Sequence, residues 1–593
     1  MATTKKELDD KKLLDYIKIE FERYEQFHSD RFAKCESYYD NWIGKPPKRL
    51  EHQNAIHVPV TLEAEQTITP RLFTALFPTD APVDCQVEGD TPPQAGVVVK
   101  NLIQHYFRVS NVQGKFNSIL TQNTLYGTAY GEGGSWLVKR GWVIGGAGER
   151  YYTVIDSRPD CSLVNFFELY PHPAKVSMDD GLPLIRRRFC DAEALKSLKE
   201  NPFFAFKNLD DALNSKLPGS SGNLGPAYQM KAGDRYEILE YWGPYDEQYE
   251  VDGKLMEKKA VPYWCIVINR SVIVRAIPNP YNHQIPPFFK IKMYEDAKSG
   301  WFGVGVGQIG IPTQERINKI VSNRLDNVDI IINKMLLYNK SDTLLNKKQL
   351  EISKPGKVIG VGNVETSIKY IDIPDVTAEA YKEEEMAKQD FRESTGATSA
   401  MMPSDSQDEQ HRTAMGIQLL QGAAGMRLRP VLRNIELDGI QALAMFYFSN
   451  CKQFMTSPQW IQVTGEQGQK FPVQVKPEDI QAKIFFIPTG ISETVNKETQ
   501  IGQLLRFKEV TTGDPTVNRA EVNKRIAELF GFKDIDKLVI PQAPIQQTPG
   551  GLPANMQQMI QQRLKEGASP EAIKMELLGQ KPTVDMGQGA PNA

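Results

Sequence analysis

The residues nearest to a chemical signature are three glycines, Gly305, Gly307 and Gly310, spaced as GxGxxG. In a dinucleotide site such glycines follow a strand, open a helix and bring backbone N–H groups up to a pyrophosphate. A strand-like run, Phe288 to Tyr294, precedes them here, and a helical pattern follows. Three features weigh against a cofactor. Pro312 comes two residues after the third glycine, the stretch before Phe288 is a Pro-rich connection (Pro278, Pro280, Pro286, Pro287), and no return strand with an acidic ribose ligand follows. The simpler reading is a tight turn before a helix, which glycine permits.

Other catalytic patterns are missing. No GxxxxGK(S/T), GxSxG or HExxH occurs, so no ATP-burning motor is expected. The histidines His28, His52, His57, His105, His172, His283 and His411 are scattered. His52 and His57 do not share a helix face at their spacing and read as loop residues. Asp179-Asp180-Gly181 reads as a turn, with no second carboxylate cluster to complete a metal site. The expectation is no catalytic residue, no cofactor and no metal.

A net-acidic stretch lies between Ala378 and Ser394. Six acids (Glu379, Glu383, Glu384, Glu385, Asp390, Glu393) outnumber three bases (Lys382, Lys388, Arg392), and apolar residues are few. Two readings stand: a solvated face on a surface helix, or the wall of a channel for a polyanion that must not stick. Basic side chains that neutralise several phosphates tighten binding steeply at low salt, and an acidic wall avoids that. The net charge of -3 gives no global signal for nucleic acid, so any DNA contact must be local or weak.

The elements around this charge form a helical hairpin. Ile317, Val321, Leu325, Val328, Ile332 and Met335 fall at helical spacing, opposite Glu315, Lys319, Asn323, Asp326, Asn327, Asn333 and Lys334. A helix from Gln308 to Asn339 would run roughly 48 Å. With one apolar stripe it needs a partner helix or a neighbouring subunit. Lys357 to Val361 and Ser367 to Ile371 are strand-like, and Pro355-Gly356 marks a turn. Thr377 is the expected N-cap of the acidic helix. Gly396 to Arg412 is a polar loop without period. A third helix is expected from Thr413 to about Asn450, with Ile417, Leu420, Ala424, Leu428, Val431, Ile435, Leu443 and Tyr447 on its face and Pro430 kinking or interrupting it.

Before the hairpin the chain reads as a mixed α and β body. Helices are expected over Leu8–Tyr39, with Phe27 on the apolar face, over Thr61–Leu76 and over Pro93–Val109. Strands are expected over Ser135–Lys139, Tyr151–Ile155, Leu163–Leu169, Leu184–Phe189, Tyr236–Trp242 and Trp264–Ala276. Asn214 to Gly233 reads as a mobile surface loop. From Pro541 the composition is that of a disordered tail, with short helices near Asn555–Lys565 and Pro570–Leu578.

With 593 residues the chain has room for three to four domain-sized units. Its six cysteines include no CxxC and suggest no disulfide framework. The start has no apolar signal region, and no apolar run reaches the ~18 residues of a membrane span. A soluble protein, intracellular when made, is expected.

The order of features resembles the portal (head-to-tail connector) proteins of tailed bacteriophages, in particular short-tailed ones. The resemblance is carried by Asn41-Trp42 and its Pro-rich turn, by Leu72 to Pro78 (LFTALFP), by Leu125-Tyr126-Gly127-Thr128 and by Phe166 to Pro173 (FFELYPHP). It continues in Gly303 to Gln308 with Gln314 and Asn318, and in Ser394-Thr395-Gly396 with Thr413-Ala414.

The resemblance implies an α+β portal-like fold. Its parts are a mixed α/β wing (1–307), a stem helix (308–339), a clip with small strands (340–375) and a second stem helix (376–395). A tunnel loop (396–412), a long wing helix with strands (413–490), a helical crown (491–540) and a Pro/Gln-rich tail (541–593) follow. It further implies a homo-oligomeric ring, usually a dodecamer, at a capsid vertex of the virion, assembled in the host cytoplasm. Double-stranded DNA passes through it during packaging and ejection. Implied partners are the terminase large subunit, a tail adaptor, and the major capsid and scaffolding proteins, with no membrane. Glu383, Glu384, Glu385, Ser404, His411 and Arg412 are the expected channel residues. Lys347, Lys348, Lys354 and Lys357 give the clip a basic edge for docking, or simply a solvated one. The competing readings are a nucleotide-binding enzyme using the glycine turn, or another virion assembly subunit.

Overall fold

One long helix opens the chain, α1 (Ala2–Trp42). Ile17, Phe21, Tyr24, Phe32 and Cys35 recur at helical spacing and are buried on its inner face. Phe27, expected on that face, is 60% exposed. Its neighbour His28 points inward instead, with Nε2 2.8 Å from the Pro171 carbonyl oxygen. The computed structural model describes residues 2–79, 81–89, 92–146, 148–197, 207–215, 235–251, 254–343, 345–350, 358–397, 427–456, 458–464, 470–481, 483–488, 504–511, 519–529 and 562–567. Two units are distinct, Met1–Asn496 and Lys497–Ala593.

The first unit begins with α1 and continues through α2 (Val60–Leu76), β1 (Val83–Val87), α3 (Pro93–Val109) and α4 (Val112–Tyr126). Six strands follow: β2 (Thr128–Glu132), β3 (Trp136–Ile144), β4 (Arg150–Pro159), β5 (Ser162–Val164), β6 (Leu169–Pro171) and β7 (Leu184–Cys190). After the short helices α5 (Ala192–Ser197) and α6 (Leu209–Asn214) come β8 (Tyr236–Val251), β9 (Lys254–Ile268), β10 (Val272–Pro278), β11 (Phe288–Lys292), β12 (Tyr294–Glu295) and β13 (Gly303–Val304).

Helix α7 (Val306–Ile332), strand β14 (Leu336–Tyr338), the short helix α8 (Lys347–Leu350), β15 (Ile368–Tyr370) and α9 (Thr377–Thr395) form the hairpin region. Helices α10 (Arg429–Ile435) and α11 (Ala442–Phe454) and strands β16 (Gln459–Thr464), β17 (Lys470–Val475) and β18 (Ile484–Pro488) complete the unit. In the second unit, 504–510, 562–565 and α12 (Arg519–Leu529) are helical.

The largest sheet is antiparallel, in the order β10-β9-β8-β7-β6. It packs beneath α1 in a core that includes Phe166, Tyr241, Ile266 and Phe288. Buried ion pairs link the two layers: Arg187 lies 2.9 Å from Glu25 and 2.7 Å from Glu237, and Arg270 lies 2.8 Å from Glu237. A second core gathers α2, α3, α4, α7, α9, α10, α11 and β18 around Leu72, Phe116, Ile317, Phe391 and Tyr447.

Several elements differ from the sequence expectation, each for a local reason. Residues 112–126 carry helical spacing (Val112, Phe116, Ile119, Leu120) that forms the unexpected α4, capped by the Asn111 side chain. Leu163–Leu169 is not one strand, because Asn165 accepts from the Phe167 N–H and folds Phe166–Glu168 into a 3-10 turn. Trp264–Ala276 divides into β9 and β10, since Asn269 (φ 49) and Arg270 (φ 54) make a hairpin turn. Of the kink or interruption expected at Pro430, the described residues show a helix start: after a turn at 427–428, Pro430 sits in the first turn of α10, where its missing N–H costs nothing. The helix deforms at a π turn, Glu436–Gln441. Ile417, Leu420, Ala424, the 216–234 part of the expected loop and the tail from Pro541 to 561 lie outside the described residues, as do 568–593.

The two cores meet at a backbone contact. Helix α4 ends on Gly127, at φ +82. A Cβ there would fall 2.4 Å from the Gly305 nitrogen, and one on Gly305 would fall 2.3 Å from the Gly127 nitrogen. The Gly303 N–H donates to Thr128 Oγ1 at 2.8 Å, and the Met293 N–H to the Gly127 carbonyl at 2.9 Å. A left-handed turn strains most side chains, and this spacing leaves no room for one. Gly127→Ala is therefore expected to lower unfolding stability by about 3 kcal/mol or more, combining backbone strain with overpacking. Gly181, at φ +74 with nothing within 4 Å, is the control. Gly181→Ala should cost about 1–2 kcal/mol. Urea midpoints of the two variants test the difference.

Candidate functional site

The α7–α9 hairpin is where the acidic helix, the glycine turn and the small strands come together. Helix α7 runs from Val306 to Ile332, shorter than the expected 308–339. After Asn333 the chain changes period, and Leu336–Tyr338 pairs antiparallel with Ile368–Tyr370. The strand at 368–370 is the one expected from Ser367–Ile371, while 358–361 is not a strand. Its partner comes from the end of the expected helix: Met335-Leu336-Leu337 favours helix by composition, and pairing with Ile368–Tyr370 overrides that preference.

The first half of the apolar stripe is covered by the chain itself. Ile317 and Val321 are buried in the second core against α2, α4 and α9. The stripe thus does not depend on a sibling copy along its whole length. It becomes uncovered at the far end, where Ile332 is 71% exposed and Met335, Leu337, Tyr370, Tyr381 and Met386 are also exposed.

Beside the apolar stripe α7 carries a polar ladder that pattern reading missed. Gln314, Asn318, Ser322 and Asp326 recur every four residues and meet the segment 54–59 and the first turn of α2. Gln314 Nε2 donates to the Val58 carbonyl at 2.6 Å, and its Oε1 accepts from the Thr61 N–H at 3.2 Å. Asn318 Oδ1 accepts from the Val58 N–H at 2.9 Å, Ser322 Oγ from the Ile56 N–H at 3.1 Å, and Asp326 Oδ1 from the Asn54 N–H at 2.7 Å. Four helical residues advance about 6.0 Å and two extended residues about 6.6 Å, so the rungs stay in step. The signal was the four-residue spacing of small polar residues beside an apolar stripe.

Just before α9, the Asp375 carboxylate accepts from the Thr377 N–H at 2.9 Å. Thr377, the expected cap, is already inside the helix. Ala387, Phe391 and Thr395 are buried toward α7. Glu384 points the same way: it pairs with Arg324 and, at 2.7 Å, with Lys388, and Arg324 also stacks over Tyr381. Glu383 pairs with Arg316 at 2.8 Å and Asp390 with the same arginine at 3.3 Å. Glu385, like Glu379 and Glu393, is exposed. The three adjacent glutamates therefore do different things: Glu384 joins the helices, Glu383 lies at the seam, and Glu385 faces outward.

Lys347 and Lys348 are exposed on α8. Ser404, His411, Arg412, Met401, Met402, Lys354 and Lys357 lie outside the described residues.

The glycine turn is filled by the chain itself. A Cβ on Gly307 would meet the Leu125 carbonyl at 2.7 Å and Tyr38 Cβ at 2.8 Å, and one on Gly310 would meet the Phe391 ring at 2.4 Å. With Gly305 against Gly127, each glycine of the motif serves close packing inside the protein, and the cradle a pyrophosphate needs is occupied. Asp180 makes the expected turn, its carboxylate accepting from the Val176 N–H at 2.8 Å and from buried Lys175 at 2.5 Å. Among the described residues no group of three or more His, Cys, Asp and Glu could hold a metal ion, and no helix is long and apolar enough to cross a membrane. All six cysteines are free thiols.

Burial alone would raise the Glu384 carboxyl, but hydrogen bonds from Lys388 and Arg324 outweigh it and hold it below its ordinary 4.5. A depressed carboxylate contributes its stability above the unfolded value and loses it as pH falls through the folded one. The α7–α9 contact is thus expected to loosen in acid below about pH 4.5, seen as lower protection factors over 377–395 once the pH dependence of intrinsic amide exchange is divided out. Glu384→Gln should show lowered protection already at neutral pH, with a smaller further loss through the same acid range.

The model of the phage SU10 portal protein family matches residues 190–568, from the large sheet through the α7–α9 hairpin to the second unit. No curated protein matches. Among solved structures, a chain of the virion of a native gene transfer agent particle is similar over 83% of this chain and 93% of that chain, at 11% identity and a TM-score of 0.36. A chain of the neck of an empty gene transfer agent particle is similar over 79% and 90%, at 11% identity and a TM-score of 0.35. With well over half of its length matched by one family model, the chain belongs to the phage SU10 portal protein family.

Proposed function

We propose that the chain is the subunit of a closed homo-oligomeric ring, usually a dodecamer in such proteins, at one capsid vertex of a virion. In this reading the ring is the conduit for double-stranded DNA during packaging and ejection. The family match over 190–568 carries the proposal. The uncovered end of the α7–α9 hairpin supports it: Ile332, Met335 and Leu337 of one copy need cover, and head-to-tail contacts that close supply it identically to every copy.

The α7–α9 hairpin then forms the stem, 340–375 the clip and 396–412 the tunnel loop at the ring axis. The terminase large subunit docks on the clip during packaging, with Lys347 and Lys348 as contacts, and a tail adaptor replaces it. The wing and crown meet the capsid and scaffolding proteins. The role is structural, and no catalytic step is assigned to it.

The exposed side of α9 suits a DNA passage. Glu379, Glu385 and Glu393 face outward beside Lys382, while Glu383 and Asp390 are exposed at the seam with Arg316. An acidic wall keeps duplex DNA from condensing on the stem, where neutralised phosphates would release counterions and hold it. Glu384 is excluded from this wall by its pairing with Arg324.

Light scattering on the purified protein is expected to give a discrete multiple of 66.9 kDa. A monomer at micromolar concentration would contradict the ring. Replacing Glu379, Glu385 and Glu393 together with lysine spares the helix–helix pairs, and should leave assembly intact while slowing DNA packaging and ejection. Unchanged DNA passage would remove the acidic wall from the account.

A further inference from the structure

Strands β3 and β4 form a two-stranded sheet of their own, outside both larger sheets. Its root is pinned. Trp136 Nε1 donates to Ser157 Oγ at 2.9 Å, and Asn450 Nδ2 donates to the Gly134 carbonyl at 2.7 Å. The outer half is bare. Trp142, Ile144, Tyr151, Tyr152, Val154 and Ile155 are 68%, 66%, 50%, 48%, 44% and 60% exposed. A two-stranded hairpin without a covered face is marginal in water, so a partner surface is expected to complete this one.

One face of the arm is chemically distinct. Trp142 and Tyr152 are cross-strand partners with ring centroids 5.5 Å apart. Arg140, opposite Val154, and Arg150, opposite Ile144, flank them. Trp, Tyr and Arg are the residue types that dominate protein–protein hot spots. At its root the face meets a groove of about 790 Å³ walled in part by His105, Val109, Val138 and Met455. Tyr106, only 2% exposed, also lines the groove, and its hydroxyl has no hydrogen-bond partner among the described residues.

We propose that the β3–β4 arm is an assembly contact whose apolar, arginine-flanked face packs on the neighbouring copy of this chain. The inference rests on the ring reading above. On this face Trp142, Ile144, Tyr152 and Val154, scaled by these exposures, leave roughly 450 Å² of apolar surface, more than half of the ~800 Å² per partner of a standard interface, and the flanking arginines and the groove at the root extend the contact. Nucleic acid is the weaker occupant. From Lys139 to Asp156, Lys139, Arg140 and Arg150 are offset by Glu149 and Asp156, and one net charge cannot drive phosphate neutralisation. In a closed ring an identical copy lies beside every arm, which makes it the occupant always present.

The test uses the full-length protein. Trp142→Ser with Tyr152→Ser removes exposed side chains, and circular dichroism and the thermal midpoint should match the parent. The concentration for half-assembly should rise roughly tenfold or more. A photo-crosslinker in place of Tyr152, in otherwise unaltered protein, should give covalent multimers of this chain alone. Rings that assemble at the parent concentration despite the double substitution, or crosslinks confined within one chain, overturn the arm contact while leaving the ring reading in place. Unaltered protein that forms no ring overturns both.

Discussion

The architecture depends on a contact too close for any side chain. Gly127 ends α4, and Gly303 and Gly305 lead into α7 against it. The carbonyl of Gly303 also accepts from Arg31 Nη2 at 2.7 Å, which brings α1 to the same point. The α1 layer, the second core and the origin of the hairpin are thus fixed together by backbone atoms. Backbone contacts of this kind leave α7 little freedom to pivot, because neither side has a rotamer with which to adjust. A long helix that must aim at a ring axis benefits from such a root.

From that root α7 changes ownership along its length. Near its start, Ile317 and Val321 belong to the core of their own chain, and the polar ladder from Gln314 to Asp326, beside them, fastens the helix to residues 54–61. Beyond Asp326 the apolar surface opens, with Ile332 mostly exposed. The ion pairs across the hairpin differ in weight. Those of Arg316 are exposed and contribute little, whereas Arg324 and Glu384 are each 12% exposed, and Arg324 also stacks over Tyr381. The hairpin is therefore preformed at its base and left incomplete at its tip, as suits a subunit finished by assembly.

Much of this was legible in the sequence. Helical spacing gave α2, α3 and α9 nearly to the residue, and the acidic composition of α9 was plain. The motif pieces Leu125–Thr128 and Gly303–Gln308, 175 residues apart in Thr128 and Gly303, proved to be two sides of one contact. What was not legible depended on tertiary partners. The GxGxxG spacing cannot distinguish a glycine that admits a phosphate from one that admits Phe391 or a carbonyl. Periodicity could not tell that Met335–Tyr338 would find a strand at Ile368, nor that Glu384 alone of three neighbours would turn inward. Phe27 and His28 exchanged roles because the Pro171 carbonyl offered the imidazole a buried partner.

The central claim is that copies of this chain close around a hollow axis lined by the α7–α9 hairpin. A three-dimensional reconstruction of the assembled protein tests it most directly. The account predicts an open axis with the outer face of α9 toward it, and Ile332, Met335 and Leu337 against the next copy. A closed axis, or hairpins splayed outward at the rim with those side chains still in solvent, would contradict it.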